Sequence, residues 1–118
     1  MHNFRELRVW QRSMDLAEAI YKLTAGFPRE EKYGLSSQLQ RSAVSIPSNI
    51  SEGAGRGTNK QFRQFLEISM GSCNEVLTQL ELCSRFKYIE KETFDIVAGE
   101  ANQICKMIFV FYKSLGEQ

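Results

Sequence analysis

The chain has 118 residues, of which 42% are hydrophobic, 25% charged and 11% aromatic, with 15 Lys and Arg against 14 Asp and Glu. That length suits one domain spanning residues 1–118, and the high apolar content with a net charge of +1 excludes an intrinsically disordered chain. The near-neutral balance also excludes a general attraction to nucleic acid or anionic membranes, so any such binding would need a local patch.

Other features of the composition favour a helical protein in a reducing compartment. Two prolines are too few for a loop-rich all-β chain. Cys73, Cys83 and Cys105 cannot all pair and lack the spacing of zinc ligands, so we expect them to act as small core residues. The longest apolar run, Met107 to Tyr112, is too short to span a bilayer, and the N-terminus lacks the apolar stretch of a secretory signal. We therefore expect a soluble, cytoplasmic domain with no membrane partner.

The first helix is predicted from about Leu7 to Thr24, where apolar residues recur at helical spacing. They form two adjacent rows that are expected to face the core: Trp10, Met14, Ala17, Tyr21 and Thr24 in one, and Leu16, Ile20, Leu23 and Phe27 in the other. Gly26 and Pro28 should end this helix, because glycine accepts the left-handed cap and proline cannot continue a helix.

The second helix is predicted to start near Tyr33 or Gly34 and is rich in small residues. Pro47 lies inside it and removes the amide that would bond to the Ala43 carbonyl, so we expect a kink or a break into two pieces. The residues from Gly53 to Gly57 are predicted to form the loop that follows.

Thr58 and Gln61 have the spacing of a capping box and should start the third helix, which is predicted to last until about Phe86. Its apolar positions alternate steps of four and three residues, the period of bundle packing: Phe62, Leu66, Ser69, Cys73, Val76, Leu80 and Cys83. The fourth helix is predicted from about Lys91 to Leu115 on the same pattern: Val97, Ala101, Ile104, Ile108, Phe111 and Leu115.

Four long amphipathic helices with short connections predict an all-α, up-down-up-down antiparallel four-helix bundle. Phe109 and Val110 fall outside the core stripe of the fourth helix. We interpret them as a candidate oligomer interface, and the alternative is that Phe109 covers one end of the bundle.

Residues that could support catalysis are scarce. The chain has one histidine, His2, expected at a frayed terminus, which argues against a di-iron site and against serine or cysteine triads. The glycines between Gly53 and Gly57 lack the spacing and context of a phosphate-binding loop. Ser72, Glu75 and Gln79 form a polar row that we interpret as a structural network directed at Ser45 and Asn49. No catalytic residue, metal site or cofactor is predicted.

A local group of cations is the main candidate for binding. Arg56, Lys60 and Arg63 follow one another at about one helical turn with no acidic residue from Gly53 to Leu66, and Arg41 lies on the second helix. Repetition around an oligomer axis would strengthen a weak attraction of these four residues to phosphate. The alternative is an ordinary solvated surface.

Several segments resemble one known family. The stretch from Ala43 to Gly53, with the sequence AVSIPSNISEG, is similar to the signature of the "four helix bundle" proteins, which are the 23S ribosomal RNA intervening-sequence proteins. The resemblance continues in Leu7 to Gln11, in Tyr33 to Leu39 and in Gly71 to Leu80, and so covers nearly the whole chain.

The resemblance implies a bacterial four-helix bundle that assembles as a cyclic homo-oligomer, a pentamer in characterised relatives, with no established enzymatic activity. A similar protein, the accessory subunit of diversity-generating retroelements, binds nucleic acid and contacts a reverse transcriptase. By position, the motif residues are Pro47, Asn49, Glu52 and Gly53, and they are expected to shape the kink and the turn.

Two functions remain open from the sequence. One is a non-enzymatic homo-oligomeric accessory protein that binds RNA or DNA through the cations. The other is a protein–protein interaction scaffold with no nucleic-acid role.

Overall fold

The helical segments found in the structure match those predicted within a few residues. The computed structural model describes residues 2–116, and this part of the chain contains helices but no strand. Two short 3₁₀ turns, Phe4–Glu6 and Arg29–Glu31, precede the first two long helices. The long helices are α1 (Arg8–Thr24), α2 (Leu35–Ala54), α3 (Asn59–Arg85) and α4 (Lys91–Ser114).

The four helices pack as a closed square in which each contacts two neighbours. The contacting pairs are α1 with α2, α2 with α3, α3 with α4 and α4 with α1. Helices α2 and α3 are antiparallel at their contact, because a later residue of α3 meets an earlier residue of α2. Ser69 Oγ donates to the Ile46 carbonyl at 2.9 Å, and the hydroxyls of Ser72 and Ser45 share a hydrogen bond at 2.7 Å. The all-α four-helix prediction is confirmed. The up-down-up-down order stays a prediction, which these antiparallel contacts favour.

The core follows the predicted repeat on α3. Every residue of its four-three pattern is buried, from Phe62 to Cys83. On α4 the same pattern is buried from Val97 to Ile108, and its last members, Phe111 and Leu115, are partly buried. The two helices that carry the clearest period therefore contribute one continuous apolar wall to the interior.

The prediction for α1 is wrong in one respect. Its buried face consists of Val9, Ser13, Leu16, Ile20 and Thr24. Of the row predicted from Trp10 to Thr24, Thr24 is buried, Trp10 and Ala17 are partly buried against the core, and Met14 and Tyr21 are 40% and 51% exposed. The exposed members of this row lie at the surface beside α2, where they border a groove.

The helix α2 also differs from its prediction at two places. It continues through Pro47 without a break into two pieces, and a kink there stays a prediction. Polar side chains donate hydrogen bonds to backbone carbonyls in the turn before Pro47. Asn49 Nδ2 donates to the Ser45 carbonyl, and Ser69 Oγ donates to the Ile46 carbonyl. The predicted loop begins late, because Gly53 and Ala54 belong to the last turn of the helix.

Each end of α3 is closed by its own local interaction. Thr58 Oγ1 accepts a hydrogen bond from the Gln61 amide at 3.2 Å, which confirms the predicted N-cap. At the other end, the amides of Lys87 and Tyr88 donate to the carbonyls of Ser84 and Cys83. This pair of bonds forms a Schellman cap, and it places Lys87 at a φ of 64°, where glycine is usual.

His2 does not lie at a frayed end, contrary to the prediction. Its amide donates to the Ala54 carbonyl at 3.0 Å. Its ring packs edge-on against Phe62 and Phe111, with centroid distances of 5.1 and 6.0 Å. The aromatic groups at this end of the bundle hold the N-terminal segment in place.

Candidate interaction surfaces

The motif residues of α2 all have local structural contacts. Pro47 is buried, and Asn49 Nδ2 donates to the carbonyl and to the hydroxyl of Ser45 at 2.9 and 3.0 Å. Glu52 forms an ion pair with Arg56 at 2.9 Å. A Cβ atom on Gly53 would lie 2.7 Å from Phe62 and 2.8 Å from Phe65, so the glycine permits close approach of α3. These contacts supply a structural reason for each residue.

The polar row on α3 is partly buried, and of its three members only Ser72 joins the predicted network among the described residues. Ser72 is buried and bonds Ser45, which in turn accepts from Asn49. Glu75 is exposed and takes no part in this network. Gln79 is buried, and its Oε1 has no partner among the described residues. The network therefore links α2 and α3 through small hydroxyl groups and one amide.

Two of the four candidate cations are engaged within the chain. The Arg56 guanidinium lies over the Phe65 ring at 4.7 Å as well as pairing with Glu52. The Arg63 guanidinium lies 4.3 Å over the Tyr112 ring, whose hydroxyl donates to Glu67 at 2.7 Å. The Arg63 contact joins α3 to α4, and the Arg56 contacts join the end of α2 to α3. Both guanidinium groups are therefore less available to a ligand.

The other two candidate cations are exposed. Lys60 and Arg41 appear in none of the ion pairs formed within residues 2–116. Arg41 lies far from the other three cations. It precedes Ala54, the last residue of α2, by thirteen positions, which is about 20 Å along the helix at 1.5 Å per residue. The structure thus brings Arg56, Lys60 and Arg63 to one end of the bundle and places Arg41 towards the other.

Phe109 and Val110 lie at the surface of α4, with 50% and 66% of their areas exposed. The Phe109 ring stacks on Tyr112 with a centroid distance of 6.5 Å, on the side of α4 next to α3. Val110 borders a groove of about 480 Å³ between α4 and α1, which Val9 and Met107 also line. The two residues therefore present apolar area on two sides of the helix.

A larger apolar groove lies between α1 and α2, and sequence reasoning missed it. Its volume is about 620 Å³, and its walls include Trp10, Met14, Tyr21, Val44 and the ring of Pro47. The sequence did contain an indication of this groove. The second apolar row of α1 makes the apolar stripe of the helix wider than a single core-facing side needs. We call this the α1–α2 groove.

Sequence reasoning also missed the carboxylate that caps α2. Glu31 Oε1 accepts from the Leu35 amide at 3.0 Å, and Glu31 Oε2 accepts from the Tyr88 hydroxyl at 2.8 Å. The Leu35 hydrogen bond, followed by that from Tyr88, holds the pKa of Glu31 below its ordinary value. The hydroxyl's bond to this carboxylate raises the pKa of Tyr88. The site lies at the end of the bundle where α2 begins and α3 ends.

The described residues offer no evident centre for chemistry. Residues 2–116 contain no group of three or more His, Cys, Asp or Glu placed to hold a metal ion. Burial, followed by the neighbouring Cys105, raises the pKa of Cys73 to about 12, and burial raises that of Cys83 to about 11. Such thiols remain protonated at neutral pH and are poor nucleophiles. Within the same residues no helix is long and apolar enough to cross a membrane.

Comparisons with known proteins agree on one family. A crystal structure of a protein with unknown function from the S23 ribosomal protein family of Bacteroides thetaiotaomicron is similar to this chain, with a TM-score of 0.80 and 28% sequence identity. The match covers 89% of this chain and 98% of that one. No curated protein matches the chain. The family model described as 23S rRNA-intervening sequence protein matches residues 5–110, and the chain therefore belongs to that family.

Proposed function

We propose that the protein is a non-enzymatic, homo-oligomeric accessory protein of the intervening-sequence type. The observation that carries this proposal is the α1–α2 groove, which leaves aromatic and aliphatic side chains open to solvent along one side of the bundle. Contiguous apolar surface of this kind is typical of interaction sites in otherwise well-packed domains. A second copy of the same chain is the occupant that we propose.

The positions of the apolar surfaces favour a head-to-tail arrangement. Phe109 lies on the α3–α4 side of the square, and the α1–α2 groove lies on the opposite side. A twofold dimer would use the same surface on both copies and would leave the other surface exposed. Insertion of Phe109 and Val110 of one copy into the α1–α2 groove of the next uses both surfaces and closes into a ring if the rotation permits. The cyclic pentamer implied by the resemblance is part of this proposal.

Carboxylates at one surface can pair with cations at the other. Lys106 borders the groove next to Val110, and Lys113 Nζ lies 5.6 Å over the Phe109 ring. Glu18 lines the α1–α2 groove together with Lys22, and the exposed Asp15 lies one turn before Glu18. None of these five groups forms an ion pair within residues 2–116. They would form rim contacts that orient one copy against the next.

Light scattering coupled to size exclusion tests this assembly. The native chain should elute at a multiple of its 13.6 kDa mass, five times that mass for the proposed ring. Phe109→Glu and Met14→Glu, one on each surface, should each reduce the molar mass towards that of the monomer. Ile96→Glu is the matched control, since Ile96 is 73% exposed on α4, fourteen residues before Val110, and lines neither groove. A monomeric native chain, or equal effects of all three variants, would contradict the proposal.

A second candidate function is nucleic-acid binding through Arg41, Arg56, Lys60 and Arg63. The exposure of Arg41 and Lys60, and the 42% exposure of the Arg56 side chain, favour it. The competing possibility is a protein scaffold with no such role, which would bind its partner through apolar contacts. Binding of RNA or DNA that weakens steeply with salt supports the first candidate, whereas salt-independent capture of a protein partner supports the scaffold.

A further inference from the structure

A cleft at the junction of α1 and α2 has features that neither the assembly nor the predicted patch uses. It is about 570 Å³ in volume and lies between the last turn of α1, the connection 25–34 and the first turns of α2. Its lining is about equally polar and apolar in character, unlike that of the α1–α2 groove. We call it the junction cleft.

The charge of the junction cleft is positive. Arg29, Lys32 and Arg41 line it, and its lining contains no carboxylate. None of the three cations forms an ion pair within residues 2–116. The neighbouring Glu31 does not line the cleft, and both of its oxygens already accept hydrogen bonds, from Leu35 and Tyr88. The three cations therefore converge on space that no anion of this chain fills.

A hydroxyl group lies in the wall of the same cleft. Ser36 is 6% exposed as a residue and lines the cleft. Its hydroxyl can donate a hydrogen bond to an acceptor that enters the cleft. The amides of Ser36 and Ser37 belong to the first turn of α2, where helix geometry provides no intrahelical acceptor. Hydroxyl and amides together form a set of donors suited to an anion.

Two tyrosine rings line the junction cleft together with these cations. Tyr33 lines the cleft with 88% of its area exposed, and Lys32 Nζ lies 5.4 Å over its ring. Tyr21 borders the other side and is half exposed. Exposed rings beside phosphate-binding cations are suited to unpaired nucleobases, because only an unstacked base offers its face to a side chain.

We propose that the junction cleft binds single-stranded nucleic acid, with one backbone phosphate held by Arg29, Lys32 and Arg41 and by the Ser36 hydroxyl, and an adjacent base stacked on Tyr33. The cleft is complete within one chain, so this proposal does not depend on the assembly proposed above. It shares only Arg41 with the four cations singled out from the sequence.

Fluorescence anisotropy with a short labelled single-stranded RNA, and DNA of the same sequence, tests the proposal on the full chain. Binding should weaken between about 50 and 200 mM salt, and loss of one phosphate-contacting cation should lower the salt slope by about 0.7–1. Arg41→Gln and Lys32→Gln should each show that reduction. Tyr33→Ala should weaken binding by at least about fivefold through loss of stacking.

The matched control is Lys91→Gln, which removes a cation whose side chain is 88% exposed at the start of α4 and which lines neither the junction cleft nor the α1–α2 groove. It should leave both affinity and salt slope unchanged, and inorganic phosphate should compete with RNA in the native chain. The proposal is overturned if Lys91→Gln weakens binding as much as Lys32→Gln, or if Lys60→Gln weakens binding and Lys32→Gln does not. It is also overturned if RNA binds no more tightly than inorganic phosphate, or if a phosphopeptide binds more tightly than RNA. Circular dichroism of each variant verifies that the helices are retained.

Discussion

The two ends of the bundle use their cations in different ways. At the end formed by the connection 55–58, Arg56 pairs with Glu52 and Arg63 lies over Tyr112, so both guanidinium groups take part in packing. At the opposite end, Arg29 and Lys32 line an open cleft and form no ion pair within residues 2–116. The difference follows from the connections: the short one brings α2 and α3 together, whereas the longer connection 25–34 leaves space beside α2. A run of cations in a sequence therefore does not reveal which charges are available.

The largest expected effect lies at the tightly packed end. Phe62→Ala should lower the free energy of unfolding by about 3–5 kcal/mol, because the ring is buried and packs against His2 and Phe111. Urea denaturation measures the loss. Phe86→Ala, a change at the surface of the other end, should alter stability by less than about 1 kcal/mol. Equal losses of unfolding free energy in the two variants would contradict the difference in packing between the two ends.

Close packing of α2 on α3 predicts the next effect. In Gly53→Ala the new methyl group would collide with Phe62 and Phe65, so we expect a loss of about 1–3 kcal/mol in the same measurement. Gly71→Ala is the control, because a Cβ atom there meets nothing within 4 Å. It should instead stabilise α3 by about 0.5–1 kcal/mol. A neutral Gly53→Ala would show that the helices are less closely packed than described.

A smaller effect is expected where α3 ends, beside Tyr88. Lys87 has a φ of 64° in the cap of α3, a conformation that is unfavourable for a residue with a Cβ atom. Lys87→Gly should therefore raise the free energy of unfolding by about 1 kcal/mol, seen as a higher melting temperature. Lys87→Ala removes the same charge but keeps the Cβ atom, so it should give no such gain. A gain in both variants would point to charge rather than backbone conformation.

The smallest expected effect is a pH dependence at the start of α2. The folded state lowers the pKa of Glu31 from its ordinary value of 4.5, through Leu35 and then Tyr88. Stability from this carboxylate is therefore present above pH 4.5 and is lost as the pH falls through the lower pKa of the folded state. The difference in unfolding free energy between the native chain and Glu31→Gln should shrink over that range, and Tyr88→Phe should show part of the same pH dependence. A difference independent of pH would contradict the role of Glu31 as the cap of α2.

The four helices and the core residues of α3 and α4 could be predicted from the sequence, because a helix with one buried face repeats its apolar residues at a regular spacing. The neighbours of a side chain could not be predicted where the sequence allows more than one. The second row of α1 looks like core in sequence, yet Met14 and Tyr21 from this row border the groove between α1 and α2. Arg29 and Lys32 flank Glu30 and Glu31, so the net charge of this four-residue segment is zero in sequence. Only the fold separates them, by turning Glu31 towards Leu35 and Tyr88.

The most direct test of the difference between the two ends is photocrosslinking of a single-stranded RNA that carries 4-thiouridine, followed by identification of the crosslinked peptides. This measurement reports on both ends of the same molecule in one experiment. The account predicts crosslinks in the peptides that contain Tyr33 and Tyr21, which border the junction cleft. Crosslinks confined to residues 56–63, at the end where Arg56 and Arg63 are engaged in packing, would contradict it.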